Sequence, residues 1–432
     1  MRKILSYIIP TVLALTLNGF YTIIDGLFIG QKTGDIGLAA VNIAWPIPAL
    51  FIALGLGIGV GGSILYSQQM GENNHKNAKR VLKITFIMLL ITSLIMFLIF
   101  NFSFSKLLIL LGAKGDVYLS AYEYLQVFVY CCFFPIIASA CLPILRNIGF
   151  PLFAMIISIM GLLFNLLLNY TFVIYLELGV KGAALGTVIS QGLLCLMTFI
   201  FIFSKRKKLN KLFINNTSSL ANKEIIVSII KKSLTPFGLS LAPSIVLIFS
   251  NYACLNYGST VAVASYTVIS YVTFPISNML LGIGDGLQPL ISYYYGSKRI
   301  NDLNYVLKIG KTFVISLGII VGIVTFVFSN YIGEVFKISN EALVLYNEGI
   351  KIACLAFVFI GLNKFEVSYR NACGDSNFAS GVIYLESLLV APFMILTLSY
   401  LFNVDGIWYS YLFTAISMSI VILVIKKNRL KN

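Results

Sequence analysis

Long apolar runs alternate with short polar breaks along almost the whole chain, and the alternation recurs twelve times. The runs fall at 5–29, 38–66, 82–103, 120–143, 152–175, 183–204, 233–254, 260–290, 307–330, 346–368, 378–401 and 405–425. Each is long enough to cross the roughly 30 Å hydrocarbon core of a bilayer as a helix. Short apolar–polar alternation of the kind that builds a membrane barrel is absent. The first run leads straight into the next, so it reads as a retained span and not a cleaved leader. The pattern predicts an all-α, multi-pass integral membrane protein of twelve transmembrane helices.

Charge orients these spans. One side collects Arg2 and Lys3, then Lys76, Lys79, Arg80 and Arg146, the run KRKKLNK at 205–211, and Lys223, Lys231 and Lys232. It also collects Lys298, Arg299, Lys364, Arg370 and the run KKNRLK at 426–431. The opposite side has Lys32, Lys106, Lys114, Lys181 and Lys337. An excess of Lys and Arg marks the cytoplasmic side, so both termini are expected in the cytoplasm. Charged residues make up 11% of the chain and hydrophobic ones 59%, whereas a soluble domain carries about 25% charge. The net charge of +15 does not point to nucleic acid, because the cations sit in short loops between apolar runs. The seven cysteines lie in or beside apolar runs without a CxxC pair and read as small residues that fill space. His75 is the single histidine, so neither a histidine-based triad nor a histidine metal cluster is available. No nucleophile–base or metal constellation appears, so no enzyme activity and no cofactor are expected.

The chain repeats itself. GIGVGGSILYSQQMG at 57–71 aligns with GIGDGLQPLISYYYG at 282–296, RNIG at 146–149 with RNACG at 370–374, GVKGAA at 179–184 with NVDGIW at 403–408, and Pro10 with Pro236. All four matches need nearly the same shift of about 225 residues. This divides the chain into an N-terminal six-helix lobe at 1–204, a polar cytoplasmic linker at 205–232 and a C-terminal six-helix lobe at 233–432. Six is even, so both halves start on the same side. The repeat is therefore parallel, about an axis along the membrane normal.

Polar residues inside apolar runs are the candidates for chemistry. Asp25 stands in YTIIDGLFIG, where an ionised acid at depth costs about 2.5 kcal/mol or more. Asn18 and Tyr21 precede it on one helical face. The alternative is that Asp25 sits at the outer interface beside QKTGD. Asn251 follows Pro236 by the same interval that separates Asp25 from Pro10, so the second half carries an amide where the first carries the acid. In the fifth span Asn165 and Asn169 project from one face amid leucines, and Thr187 lies just inside the sixth. These three serve either interhelical hydrogen bonds or a cation site with Asp25. Asp285, in LGIGDGLQP, stands in a glycine-loosened helix of the kind in which transporters build sites; its counterpart is Val60. Glu366, with Lys364 and Arg370 nearby, reads as part of a structural ion pair, and Glu386 has no assigned role. Mid-span cations are nearly absent, while Phe and Tyr number 33 and 24. An aromatic cavity with an acid or two suits lipophilic cations.

The runs DGLFIG…LAAVNIAWP, GLGIGVGGS…MG, N…LGVKGAALGT and above all GIGDGLQPLISYYYG resemble the multidrug and toxic compound extrusion (MATE) family over essentially the full chain. Within it the chain looks closest to the bacterial DinF-like and MepA-like branch. The seventh span, PFGLSLAPSIVLIFSNYACL, lacks the acid that the NorM-like branch usually carries. The resemblance implies two six-helix lobes in a V and a monomer in a bacterial plasma (inner) membrane. It also implies export of lipophilic cationic compounds by alternating access, driven by inward H+ or Na+. Carried over by motif, the coupling-ion site falls on Asp25, Asn165, Asn169 and Thr187. Asp25 is also the expected ligand should the ion be the metal Na+. Substrate contacts are expected from Asp285, Tyr21, Asn18 and Asn251. One position departs from the family pattern: Asn169 followed by Tyr170 replaces an Asp in N…LDP. This leaves Asp25 the only acid in the group and tilts the coupling ion toward H+. The rival reading is a flippase of related fold for lipid-linked oligosaccharides or polysaccharides.

Overall fold

The computed structural model describes residues 1–205, 222–336 and 339–429, of which residues 20–24, 26, 27, 31, 35, 260, 335, 428 and 429 are described by backbone only. Among the described residues every regular element is helical. The first half contains α1 (Arg2–Ala44), α2 (Pro46–Gly71), α3 (His75–Leu110), α4 (Gly115–Tyr130), α5 (Phe133–Asn147), α6 (Pro151–Asn169) and α7 (Gly179–Ser204). The second contains α8 (Asn222–Tyr257), α9 (Thr260–Gly296), α10 (Ile300–Val327), α11 (Ser329–Val335), α12 (Asn340–Ala372), α13 (Ser376–Leu385), α14 (Ala391–Phe402) and α15 (Val404–Arg429). Two π-helical turns, Tyr170–Tyr175 and Glu386–Val390, interrupt the fifth span of each half.

Ten of these spans are continuous, long and apolar enough to cross a bilayer, and the pair α4–α5, bent by 60°, makes an eleventh. With the first span, carried by α1, the twelve expected spans stand in two six-helix halves. Several boundaries differ from the sequence pattern. The polar gap after the first run is helical, because α1 continues to Ala44 across a break at Gly34, where φ is 60° and ψ −152°. Glycine tolerates that backbone and the helix resumes beyond it. The fourth run breaks at Cys131 and Cys132, because Pro135 has no N–H to give the Cys131 carbonyl. The helix α8 starts at Asn222, inside the expected linker; residues 206–221 of that linker, and Lys337, lie outside the described residues.

The halves interlock by exchange: α1 lies along α9 and α2 along α8. Lipid tails offer helices no hydrophobic reason to associate, so close backbone approach at small residues is what holds them. The helix α2 is accordingly buried along most of its length, whereas α3 turns Leu90, Ile91, Leu94 and Ile95 outward. The two central helices, α2 and α9, cross closest at Gly71 and Gly296. A methyl group on Gly71 would overlap the carbonyl oxygen of Tyr293, and one on Gly296 would overlap that of Gln68. Gln68 and Tyr293 are themselves repeat counterparts, so one contact is made twice about the pseudo-twofold axis. This crossing lies at the end where the Lys- and Arg-rich loops gather, called here the basic end. The seven cysteines are free and five are buried, in keeping with a space-filling role.

Candidate coupling and substrate sites

Three helices of the first half bring the expected coupling residues together. Asn165 and Asn169 share one face at the end of α6, one turn apart. Asn169 Nδ2 donates to Asp25 Oδ1 at 2.5 Å and to Asn165 Oδ1 at 3.0 Å, and Asn165 Nδ2 donates to Thr187 Oγ1 at 3.2 Å. Both asparagines are buried, while Asp25 and Thr187 are half-buried. Gly186 lets α7 approach, since a Cβ there would overlap Asn169 Oδ1. That oxygen is buried and has no hydrogen-bond partner. The buried Tyr124 of α4 faces Asp25. The π-helical turn begins immediately after Asn169, and such turns recur where a helix has functional residues to aim. Beyond the site, at the end away from the basic loops, Lys32 Nζ meets Glu177 Oε1 at 2.6 Å. The hydrogen bond and charge of Lys32 hold the exposed Glu177 carboxyl below the usual carboxylate range.

The second half is built differently. Ser368 Oγ of α12 donates to Asp285 Oδ1 of α9 at 3.3 Å. Two cations also face Asp285: Arg146 of α5, from the first half, and Lys364 of α12. Lys364 Nζ donates to Ser277 Oγ at 2.5 Å and faces Glu386 as well as Asp285. Glu386 opens the π-helical turn of its span. Two acids and two cations thus converge. Lys364 is the exception to the expectation that mid-span cations are nearly absent. Lys364 and Arg146 read as loop residues by charge counting, yet Lys364 sits within α12 and Arg146 is in the last turn of α5, 5% exposed. The helical period carried the missed signal. Residues two apart point to opposite faces, so Lys364 and Glu366 diverge. Glu366 instead pairs with Arg370 at 3.1 Å and Lys311 at 3.6 Å, and Arg370 reaches Asp375 at 3.5 Å. The expected Glu366–Arg370 ion pair is present, with Lys311 in the place foreseen for Lys364.

Among the expected substrate residues, Asn251 and Asp285 stand far apart. Asn251 stands six residues before the end of α8, roughly 9 Å from the end opposite the basic loops. Asp285 stands 25 residues into α9, roughly 37 Å from that same end. Asn251 Oδ1 is buried without a hydrogen-bond partner, and Asn18 is exposed on α1. The side chain of Tyr21 lies outside the described residues.

A set that sequence reasoning missed joins the halves at the basic end. Asn147 Nδ2 donates to Gln288 Oε1 at 2.9 Å, and Gln288 Nε2 donates back to Asn147 Oδ1 at 3.1 Å. Ser67 donates to Asn147 at 2.6 Å, Gln288 Nε2 also donates to Ser292 at 3.0 Å, and Gln68 Nε2 donates to the Ala372 carbonyl at 2.8 Å. Ser67 and Ser292 are repeat counterparts. A satisfied buried network of this kind rigidifies what it joins, so it holds the halves together at the basic end in this arrangement.

Comparison with known proteins gives the family. The family model described as MatE matches residues 10–171 and again residues 236–396, once in each half. The multidrug export protein MepA of Staphylococcus saprophyticus is 25% identical over 414 residues, covering 95% of this chain and 90% of that protein. MepA of Staphylococcus aureus strain MRSA252 is 24% identical over 416 residues, with the same coverage of 95% and 90%. Among solved structures, an outward-facing multidrug resistance MATE family transporter of the MOP superfamily superposes with a TM-score of 0.92 at 21% identity, over 99% of this chain and 95% of that one. A MOP superfamily transporter from Pyrococcus furiosus, whose binding pocket is described as reversed in polarity, gives 0.90 at 21% identity over the same shares of 99% and 95%. The double match covers well over half of the chain, and the chain belongs to the MatE family.

Proposed function

We propose that the chain is a secondary antiporter. It exports lipophilic cationic compounds by alternating access, in exchange for inward H+ on Asp25, with Na+ as the alternative ion. The observation that carries this reading is the line of hydrogen bonds from Asp25 through Asn169 and Asn165 to Thr187. Every member after Asp25 is an amide or a hydroxyl, which can both donate and accept. With Asp25 ionised, Asn169 donates to it. With Asp25 protonated, the carboxyl O–H becomes the donor, both amides turn over, Asn169 Oδ1 accepts, and the Thr187 hydroxyl donates to Asn165. The line thus accommodates both protonation states without a second acid. A bound Na+ would need oxygens where the Asn169 N–H groups now point.

The Lys- and Arg-rich end faces the cytoplasm of a bacterial plasma membrane. The chain works as a monomer of two lobes, with the boundaries expected from the repeat, and takes no cofactor beyond the coupling ion. Asp285, an acid deep in α9, holds the cationic group of the substrate. Arg146 and Lys364 beside it favour a second reading, a flippase for phosphate-bearing lipid-linked sugars. The two acids that balance them speak for the cationic reading. Expression in an efflux-deficient host should lower ethidium accumulation, in Na+-free buffer as well as with Na+. Unchanged accumulation of every cationic dye, with the protein present in the membrane, would favour the flippase.

A further inference from the structure

Arg146 has an unusual position for a buried charge. It is 5% exposed, its Nε has no hydrogen-bond partner, and no carboxylate pairs with it among the described residues. Its repeat counterpart Arg370 is fully occupied by Glu366 and Asp375. The charge that faces Arg146 is Asp285, across the junction of the halves. Geometry puts them there. Asn147, next to Arg146, is bonded reciprocally to Gln288, which lies about one turn along α9 from Asp285. The other cation facing Asp285, Lys364, belongs to the same half as Asp285 and travels with it. Arg146 stands on α5 of the first half and Asp285 on α9 of the second, so a separation of the halves at the basic end would part them.

We propose that Arg146 is an intramolecular competitor for Asp285: closing the cytoplasmic end seats its guanidinium opposite the carboxylate that holds a cationic substrate, and so drives that substrate out. The proposal rests on the reading of Asp285 as the substrate acid. An exporter needs a site whose affinity differs between its two states, because a ligand bound equally well in both shifts nothing. An opposing charge delivered by the other half supplies that difference without any change in the acid itself. The open coordination of Arg146 fits this role, since a tight ion pair would hold the closed state too firmly to cycle.

The test is ethidium titration of the purified full-length protein in detergent, alongside efflux in cells. Arg146→Gln should bind ethidium roughly tenfold more tightly and yet export it more slowly, a split that a merely structural role does not produce. Arg146→Lys, which keeps the charge, should bind within about twofold of the parent. In an Asp285→Asn background, Arg146→Gln should bring no tightening. If the glutamine variant does not elute as a folded monomer, Arg146→Met carries the same expectation. Equal or weaker ethidium binding by a folded, uncharged variant overturns the competitor while leaving the export reading intact. Absence of ethidium binding by the parent and all variants overturns the export reading and the competitor with it.

Discussion

The two halves share a scaffold and disagree about charge. In the first, Asp25 is the acid among the described site residues, and its partners are amides and a hydroxyl. In the second, Asp285 and Glu386 are set against Lys364, and Arg146 reaches in from the other half. The heights differ too. The Asp25 group lies toward the end opposite the basic loops, whereas Asp285 lies about two-thirds of the way along α9 toward the basic end. An acid among neutral groups that both donate and accept can take up and release a proton as those groups turn over around it. An acid that faces two cations is better suited to exchange one cation for another. The repeat therefore duplicates the framework and divides the chemistry.

The sharpest way to break this contrast is to remove the acid from each half. Asp25→Asn should abolish coupled efflux, by a hundredfold or more on the scale of a lost proton carrier, while the purified protein keeps its melting temperature. Glu386→Gln should do the reverse. It leaves Lys364 with Asp285 as its remaining facing acid, and the partial loss of compensation costs about 1 kcal/mol. The variant should melt earlier but retain proton-coupled export, and Glu386→Gln with Lys364→Met should recover part of the loss. Thermal melts and dye efflux on the same preparations check both. Full efflux by Asp25→Asn would remove the first half's site from the mechanism.

A smaller and more specific change sharpens the contrast within the first half. Asn169→Asp would place a second carboxylate beside Asp25 and remove the N–H groups that now point at it. Two like charges so close favour a bound cation or a shared proton. Efflux should become several-fold more dependent on Na+, on the order of a 1 kcal/mol preference. Efflux that stays indifferent to Na+ in this variant would mean that the ion preference is set elsewhere.

How much of this was legible beforehand depends on whether a feature is local. The twelve spans, the internal repeat and the pair Asn165 and Asn169 were legible, because apolar length, register and i, i+4 spacing are properties of the chain itself, whereas the grouping of that pair with Asp25, 144 residues from Asn169, and with Thr187 was what the family resemblance implied. The bend between α4 and α5 follows from Pro135 and was also available in principle. Lys364 and Arg146 were misplaced because counting charge by loop ignores helical phase, and both stand inside helices at the basic end. The reciprocal amides of Asn147 and Gln288, in segments 141 residues apart in sequence, were invisible, since nothing in either segment names its partner. The separation of Asn251 from Asp285 came from chain direction: one closes an ascending helix and the other lies deep in the descending one.

The weakest expected effect concerns Glu177, whose carboxylate belongs to the first half without belonging to its site. It is tied to Lys32 at 2.6 Å, on the side away from the basic loops. Lys32 lowers its pKa, so the pair's stabilisation is present above the ordinary carboxylate value of about 4.3 and fades as pH falls through the lowered one. Both side chains are exposed, and exposed pairs are screened by solvent and salt. Glu177→Gln should therefore leave efflux, its pH dependence and the melting temperature at pH 7 unchanged within error. The parent and the variant should also melt alike once the carboxylate is protonated. A shift in the pH profile of efflux in this variant would mean that the proton on its way to Asp25 passes through this surface carboxylate. The boundary of the first half's site would then have to be drawn out to the Lys32–Glu177 pair.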